Sequence, residues 1–183
     1  MGGDLKLRKG LAGLIAIDRG VEGPYNAFFG ENAMSNAEDK SPAKVLVVDD
    51  NEQNLELIIA YLEEVECDVI SATGGQEALD LIKADSPDLV LLDVMMPKMS
   101  GFEVCRRLKG DSTTEHIPVI MVTALTELGD IERAIDSGTD DFLSKPVNKW
   151  ELVTRVRTML KLKNLTDKLE RTLAYLNEIE NQS

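Results

Sequence analysis

The sequence predicts an α/β fold built on a parallel β-sheet. From Lys44 onward, short runs of aliphatic and β-branched residues alternate with segments whose apolar residues recur at helical spacing. This alternation is typical of βα units. Three of the apolar runs end directly in a carboxylate or a hydroxyl residue. The length of 183 residues and the 29% share of charged residues suit a globular domain with some added elements.

Five strands are predicted, and the first and third are apolar on both faces, as expected for strands covered on both sides. In chain order they are "KVLVV" (44–48), "DVISA" (68–72), "DLVLLD" (88–93), "IPVIMVT" (117–123) and "DDFLS" (140–144).

Four helices are predicted between these strands from apolar residues at helical spacing. Their marker residues are Leu55, Ile58, Ile59 and Leu62, then Ala78, Leu79 and Ile82, then Phe102, Val104, Cys105 and Leu108, and last Ile131, Ala134 and Ile135. Gly110 and Gly138 are expected to end the third and fourth helices.

A fifth helix is predicted to begin near Asn148 or Lys149 and to continue without a Gly or Pro to stop it. Leu152, Val156 and Leu160 predict a face packed on the sheet. Beyond them, apolar residues and one threonine follow heptad a and d spacing: Leu162, Leu165, Leu169, Thr172, Leu176 and Ile179. Two alternatives stay open, a segment folded back on its own domain and a projecting helix that pairs with a second copy. We favour the second.

Three regions are therefore expected: an N-terminal extension (1–42), a central domain (43–160) and a C-terminal helical extension (161–183). The N-terminal extension is glycine-rich and has no stable hydrophobic periodicity, which predicts poor order apart from one short apolar helix around residues 11–17. Docking of its aromatic residues on a partner is the alternative. Either Met1 or Met34 could be the natural start.

Composition excludes several classes of protein. The net charge is −13, and residues 41–147 alone carry 22 acidic and 8 basic side chains, which argues against direct binding of nucleic acid. No apolar run approaches the ~18 residues that a membrane-spanning helix needs. We expect a cytoplasmic protein without a disulfide, since Cys67 and Cys105 form no metal or redox motif.

Polar residues follow four of the predicted strands where each strand ends. These residues are Asp49 and Asp50, Asp93, Thr123 and Lys145. Because ligands bind beyond the carboxyl ends of parallel strands, we expect these groups to converge on one edge of the sheet. Three adjacent carboxylates would repel one another, and oxygen ligands suit Mg²⁺, or Mn²⁺ in its place.

A metal ion and a lysine around a carboxylate predict a phosphoryl-binding site. Asp93 would be the nucleophile and form an acyl phosphate. Lys145 and the metal would neutralise charge, Thr123 would donate from its hydroxyl, and the small Ala124 would leave room for the phosphoryl group.

The segments "VLVVDDNEQN", "DLVLLDVMMPKMSGFEVCRRLK", "IPVIMVTAL" and "DDFLSKPV" resemble the receiver domain of bacterial two-component response regulators. The spacings from Asp50 to Asp93 (43 residues), Asp93 to Thr123 (30) and Thr123 to Lys145 (22) fit together in this pattern. The resemblance implies a flavodoxin-like, doubly wound sheet with strand order 2-1-3-4-5.

The resemblance also implies a role for each site residue. Asp50, Asp93 and the backbone carbonyl of Met95 would bind Mg²⁺, and Asp49 would act through a bound water. Lys145 would pair with the phosphoacceptor Asp93. Pro97, Ala124 and Pro146 would shape the site, with Pro146 following a cis bond.

The implied function is that of a signalling protein rather than an enzyme with its own substrate. A sensor histidine kinase or a phosphotransfer protein would phosphorylate Asp93. Thr123 and Phe142 would then move and reshape the face formed by the fourth helix, the fifth strand and the fifth helix. Phe142 stands where Tyr is frequent, which puts in doubt any output that needs a tyrosine hydroxyl.

Three other classes are weighed against this one. A phosphatase of the haloacid dehalogenase type needs a second Asp two residues after the nucleophile, where this chain has Met95. A flavin or nucleotide binder needs a phosphate-cradling loop after the first strand, where this chain has two carboxylates. A constitutive dimerisation or scaffold module would not need the acidic site.

The segment "RVRTMLKLKNLTDKLERTLAYLNEIE" resembles the helical linkers that precede diguanylate cyclase or HD-type phosphodiesterase outputs. Either the chain is a fragment of a larger regulator with such an output, or it signals through its own coiled coil and faces. We expect a homodimer formed through the C-terminal helix, the switch face or both.

Overall fold

The computed structural model describes residues 41–124, 132–133 and 135–181. The predictions for residues 1–40, and those for Ile131 and Ala134 of the fourth predicted helix, lie outside this part of the chain.

A five-stranded parallel sheet forms the centre of the described domain, and its strand order is β2-β1-β3-β4-β5. The strands are β1 (Ala43–Val48), β2 (Cys67–Ala72), β3 (Leu89–Asp93), β4 (Val119–Thr123) and β5 (Asp141–Ser144). The predicted fold class and strand order are confirmed.

Four helices have bounds within the described residues. They are α1 (Glu52–Leu62), α2 (Gly75–Asp85), α3 (Gly101–Lys109) and the long C-terminal helix α4 (Lys149–Glu180), which is the fifth helix of the sequence prediction. Residues 132–133 and 135–136 are also helical. They precede Gly138, which has a positive φ of 85° and donates its N–H to the Ile135 carbonyl.

All five strands end at the predicted residue but begin one or two residues away from the predicted start. Side-chain hydrogen bonds occur at two of these starts. The predicted first residue of β3, Asp88, instead accepts the Lys44 N–H at 2.8 Å. The predicted first residue of β5, Asp140, accepts the Val119 N–H at 2.7 Å. The same two residues donate their backbone N–H groups to the Lys44 and Val119 carbonyls, so side chain and backbone together fix the connection just before each strand.

Two apolar layers cover the sheet, one on each face. Alternate residues of β1 and β3 enter opposite layers, so that Leu46 and Leu92 pack with α2 and α3 while Val47 and Leu91 pack with α1 and α4. The central strands are therefore buried on both faces, which is why their sequences are apolar throughout. Both cysteines are free, as predicted.

Helix α4 has two parts with different surroundings. Leu152 and Val156 are fully buried in the layer shared with α1. Beyond Leu160 the apolar residues are about half exposed, as in Leu165 at 53% and Leu169 at 60%. The arrangement in which this segment folds back on its own domain is therefore not the observed one.

Membrane spanning requires a long, apolar helix, and none of the helices in the described ranges meets both conditions.

Candidate functional site

The carboxyl ends of the central strands bring the predicted acidic residues together. Asp49 follows β1, and Asp93 is the last residue of β3. One carboxylate oxygen from each of Asp49, Asp50 and Asp93 lies within 4.8 Å of the others. The convergence predicted from the ends of parallel strands is observed for all three acids.

Asp49 is a buried acceptor whose two carboxylate oxygens both have donors. It is 1% exposed. Its Oδ1 accepts from the Asn51 N–H at 2.9 Å and its Oδ2 from the Lys145 ammonium at 2.9 Å. The Asn54 amide donates to both oxygens, at 3.0 and 3.1 Å. Asp49 is thus held by α1 and by the residue after β5.

Asn54 is the site residue that sequence reasoning missed. It lies in the first turn of α1, whose N-cap Asn51 accepts from the backbone N–H groups of Gln53 and Asn54. The capped helix start aims the Asn54 amide at Asp49. An amide one turn into the helix after "DD" was the available signal in the sequence.

Asp93 is buried with incomplete hydrogen bonding. It is 3% exposed, and its Oδ1 lies 2.9 Å from the Lys145 ammonium nitrogen. Oδ1 is thus held by the ion pair with Lys145, and no second hydrogen-bond donor to this oxygen is found among the described residues. An ionised oxygen in this position lacks the hydration it has in water.

Burial raises the pKa of Asp93 above its ordinary value of 3.8. The contact with Lys145 lowers that pKa and the charge of Asp49 raises it, but desolvation is the largest effect. The same two influences act on Lys145 with opposite signs. Burial alone lowers the Lys145 pKa, and the contacts with Asp49 and Asp93 overcome this and raise it. Lys145 is therefore a firmly charged cation between two carboxylates.

The donor set fits a hard divalent cation. Asp50 is exposed, whereas Asp49 and Asp93 are buried at its side, so the cluster opens to solvent at Asp50. Three carboxylates face one lysine, which leaves negative charge uncompensated. This arrangement of oxygen ligands suits Mg²⁺ or Mn²⁺.

Gly101 fixes the position of the Asp93 backbone. A Cβ placed on Gly101, the first residue of α3, would lie 2.2 Å from the Asp93 carbonyl oxygen and 2.9 Å from the Val94 Cα. The Gly101 N–H donates to the Val94 carbonyl at 3.0 Å. Only a residue without a side chain allows α3 to start against the end of β3.

The predicted switch residues lie on the last two strands. Thr123 ends β4 and is 8% exposed, while Phe142 in β5 is 41% exposed. The Lys145 N–H donates to the Thr123 carbonyl at 2.7 Å, which links the ends of the two strands. The Lys145–Pro146 bond is cis.

Three further predicted residues lie at or near the surface of the site. Ala124, Pro97 and Met95 are all exposed, and the Met95 side chain is 63% exposed. Met96, its neighbour, is instead 8% exposed and belongs to the core.

Comparison with known proteins identifies the family. The model of the response regulator receiver domain matches residues 45–157. The response regulator PleD of Caulobacter vibrioides is 47% identical over 127 residues, which are 69% of this chain and 28% of PleD. The DNA-binding dual master transcriptional regulator RpaA of Synechocystis is 39% identical over 139 residues, 76% of this chain and 56% of RpaA. This chain spans less than two thirds of either relative.

A solved structure shares the fold. The signal receiver domain of a putative Luxo repressor protein from Vibrio parahaemolyticus superposes with a TM-score of 0.65 at 30% identity, over 71% of this chain and 98% of that one. The span matched by the receiver-domain model, residues 45–157, contains the three acidic residues of the cluster and Lys145. The chain belongs to the response regulator receiver domain family.

Proposed function

We propose that Asp93 accepts a phosphoryl group from a sensor histidine kinase or a phosphotransfer protein. The observation that carries this proposal is the environment of Asp93: a buried carboxylate at a strand end, whose Oδ1 forms an ion pair with Lys145 at 2.9 Å. Asp49 and Asp50 complete the acidic cluster. The family membership of residues 45–157 supports the same role.

In the proposed step a carboxylate oxygen of Asp93 attacks phosphorus and the bond from phosphorus to the donor's histidine nitrogen breaks. The imidazole leaves with the bonding electron pair and takes up a proton, and Asp93 becomes an acyl phosphate. Lys145 moves its charge toward the phosphoryl oxygens. Mg²⁺, when bound to Asp50, Asp93 and the Met95 carbonyl, neutralises negative charge on the same oxygens.

The proposed switch joins the site to the outer strand and to α4. Phosphorylation adds about −1.5 to −2 charges and three acceptor oxygens at Asp93. Thr123 would turn its hydroxyl toward them, and Phe142 would move inward from its present exposed position. Asp141, next to Phe142, accepts from the Arg155 guanidinium of α4 at 2.7 and 2.8 Å. A shift of β5 would therefore be passed to α4.

A surface beside Lys145 supports docking of the phosphodonor protein. A groove of about 240 Å³ lies between α1 and the residues after β5. It is lined by Leu57, which is 44% exposed, together with Tyr61, Pro146 and Lys145. A partner seated there would bring its histidine within reach of the cluster without crossing the core.

For the output we propose self-association, through α4 and through the face of the switch. Ile135 is 66% exposed and Phe142 is 41% exposed in the present state. In this role the protein is a cytoplasmic signalling component without a substrate beyond its own phosphoryl group. Residues 43–160 would form the receiver, 1–42 an extension and 161–183 the coiled-coil part. A larger regulator with a further output domain is the alternative organisation.

Beryllofluoride tests the acceptor role because it adds to an aspartate as a phosphoryl mimic. With Mg²⁺ present it is expected to change the amide NMR spectrum of the unaltered chain around Thr123 and Phe142. Asp93→Asn is expected to abolish the change, whereas Asp80→Asn, an exposed aspartate of α2, should leave it intact.

The same spectra distinguish a phosphorylation-dependent receiver from a constitutive scaffold module. If Asp93→Asn responds to beryllofluoride like the unaltered chain, Asp93 is not the acceptor. If no form of the chain responds, the receiver acts as a constitutive module.

A further inference from the structure

The second part of α4 carries a stripe of residues at heptad a and d positions, here called the heptad stripe. Its members are Leu162, Leu165, Leu169, Thr172, Leu176 and Ile179. The five apolar members are between 45% and 60% exposed. A helix that exposes a stripe of this length in water normally buries it against another helix.

The opposite side of the same segment is polar and internally bonded. Lys163 forms an ion pair with Asp167, and the Arg171 guanidinium donates to the Asp167 carbonyl at 3.1 Å. These residues occupy b, c and f positions, opposite the a and d stripe of a coiled coil. The Lys163 and Asp167 side chains are 14% and 22% exposed, so their ion pair matches two charges that are partly covered. The helix thus separates into a polar outer face and an apolar inner face.

Another copy of this helix fits the stripe. A 3.5-residue apolar repeat packs best against a helix with the same repeat. In parallel copies aligned in register, each g residue faces the e residue five positions later in the neighbour. These pairs are Lys161 with Thr166, Lys168 with Leu173, and Tyr175 with Glu180, and none joins like charges. Nothing along this seam opposes association of identical chains.

The arrangement of residues within the stripe indicates how many copies meet. All three a positions hold leucine, whereas two of the three d positions hold β-branched residues, Thr172 and Ile179. In a two-stranded coil a β-branched residue is favoured at a and leucine at d. Leucine at a with isoleucine at d shifts the preference to three or four strands. Ile179 follows this rule directly, and Thr172 shares its β-branching.

Two flanking residues widen the apolar face beyond what a pair of helices would cover. Leu173 at e is 51% exposed and Tyr175 at g is 62% exposed. In a two-stranded coiled coil the e and g positions lie at the solvent-exposed edge of the interface, while in a four-stranded bundle they contact the neighbouring helices. The Thr172 hydroxyl already donates to the Lys168 carbonyl at 2.8 Å, so its layer can be buried without an unpaired donor.

We propose that the C-terminal helix assembles four copies of the chain as a parallel, in-register bundle. The inference rests on the self-association proposed above and gives its copy number and orientation. It does not require phosphorylation, so it is tested on Asp93→Asn chains in EDTA, where the acceptor role has no influence on the result.

Sedimentation equilibrium of the full chain gives the copy number. The expected mass is four times that of one chain. A fourfold variant exchanges the residue types of the a and d positions: Leu169→Ile, Thr172→Leu, Leu176→Ile and Ile179→Leu. It places β-branched residues at two a positions and leucine at every d position, and the expected mass falls to that of two chains. Ala174→Glu, at an outer f position, is the control and should leave four.

Three results would overturn the four-copy bundle. The first is a mass of one, two or three chains before any exchange. The second is a mass of four that persists after the exchange. The third is a mass of four that survives Leu169→Glu with Leu176→Glu, since association would then lie outside the heptad stripe.

Disulfide trapping tests the orientation. Leu162 and Ile179, the two ends of the heptad stripe, lie ~26 Å apart along the helix at 1.5 Å per residue. Antiparallel copies would bring position 162 beside position 179 of the neighbour, so position 162 meets its own copy only in parallel helices. Leu162→Cys is expected to oxidise to linked dimers on a non-reducing gel, and Glu170→Cys, at an exposed b position, should not. Equal linkage for the two variants, or none for Leu162→Cys, contradicts parallel packing.

Discussion

Asp93 opposes the folded state when it is ionised, because it gives up water without gaining a full set of donors. It is 3% exposed, and desolvation outweighs the attraction of Lys145 in setting its pKa. The residue that would carry the phosphoryl group is therefore held in the fold at a cost in stability. Such a cost is common at functional carboxylates.

The size of this loss of folding stability depends on pH. A carboxyl whose folded-state pKa is raised keeps its proton to higher pH when folded than when unfolded, so stability is lost as the pH rises above the ordinary value of 3.8. In EDTA, Asp93→Asn is expected to unfold at a higher temperature than the unaltered chain at neutral pH. The difference should shrink as the pH falls toward the ordinary carboxyl range.

Thermal unfolding followed by circular dichroism measures the effect. Asp80→Asn removes one exposed charge and serves as the control, with little change expected at any pH. An Asp93→Asn chain that is less stable than the unaltered chain at neutral pH would mean that the Lys145 contact outweighs burial.

At the residue scale the sequence predicts which groups meet but not how each is held. Asp49, Asp50 and Asp93 follow from strand ends, which a parallel sheet gathers at one edge. The contrast between buried Asp49 and exposed Asp50 does not follow from their adjacency. It depends on where Asn54 and Lys145 lie, and these positions are set by the packing of α1 and the connection after β5 on the sheet.

At the scale of elements, the start of α3 holds the end of β3. Gly101→Ala is expected to destabilise the chain by about 3 kcal/mol, in the range of overpacked sites, because its Cβ would lie 2.2 Å from the Asp93 carbonyl oxygen. Backbone atoms form the obstacle, so a rotamer change cannot relieve it. The variant should also bind beryllofluoride weakly, since Asp93 must move.

Gly74→Ala is the matched control, because a Cβ at Gly74 has nothing within 4 Å and its φ of −172° suits any residue. Urea unfolding of both variants checks the pair. Equal stability of Gly101→Ala and the unaltered chain would show that α3 can shift without affecting β3.

Periodicity predicts all five strands and the helices α1, α2, α3 and α4. Each of these elements has an apolar pattern on one face or both that is buried against the sheet. The starts of the strands are less predictable. Asp88 and Asp140 look like strand residues in sequence but bond backbone N–H groups of neighbouring strands. Those contacts join residues 44 and 21 positions apart, beyond the reach of any local pattern.

At the scale of the whole molecule, negative charge concentrates in the domain that holds the site. The 22 acidic and 8 basic side chains of residues 41–147 raise the local concentration of cations around it. A divalent ion at the acidic cluster would relieve both the local repulsion and part of this wider charge.

Mg²⁺ is therefore expected to stabilise the chain, by about 1.4 kcal/mol at a concentration ten times its dissociation constant. Asp50→Asn should lose most of this gain, because Asp50 is the exposed carboxylate of the cluster. Asp80→Asn should keep it. Thermal unfolding with Mg²⁺, against NaCl at equal ionic strength, separates binding from general screening; equal gains in Asp50→Asn and the unaltered chain would contradict the assigned ligands.

The matches cover 69% and 76% of this chain but only 28% of PleD and 56% of RpaA. The shared part is the receiver with its acidic cluster, while the long α4 extends past it. In the proposed function, input at Asp93 and output along α4 would be separate in the molecule, and the ion pair between Arg155 and Asp141 would lie between them.

Acceptance of a phosphoryl group by Asp93 is tested most directly by intact-mass spectrometry after incubation with Mg²⁺ and a small phosphodonor such as acetyl phosphate. The unaltered chain should gain the mass of one phosphoryl group, lose it on treatment with hydroxylamine as acyl phosphates do, and gain nothing as Asp93→Asn. A stable adduct on Asp93→Asn, or no adduct on the unaltered chain under conditions where Mg²⁺ binds, would contradict phosphorylation at Asp93.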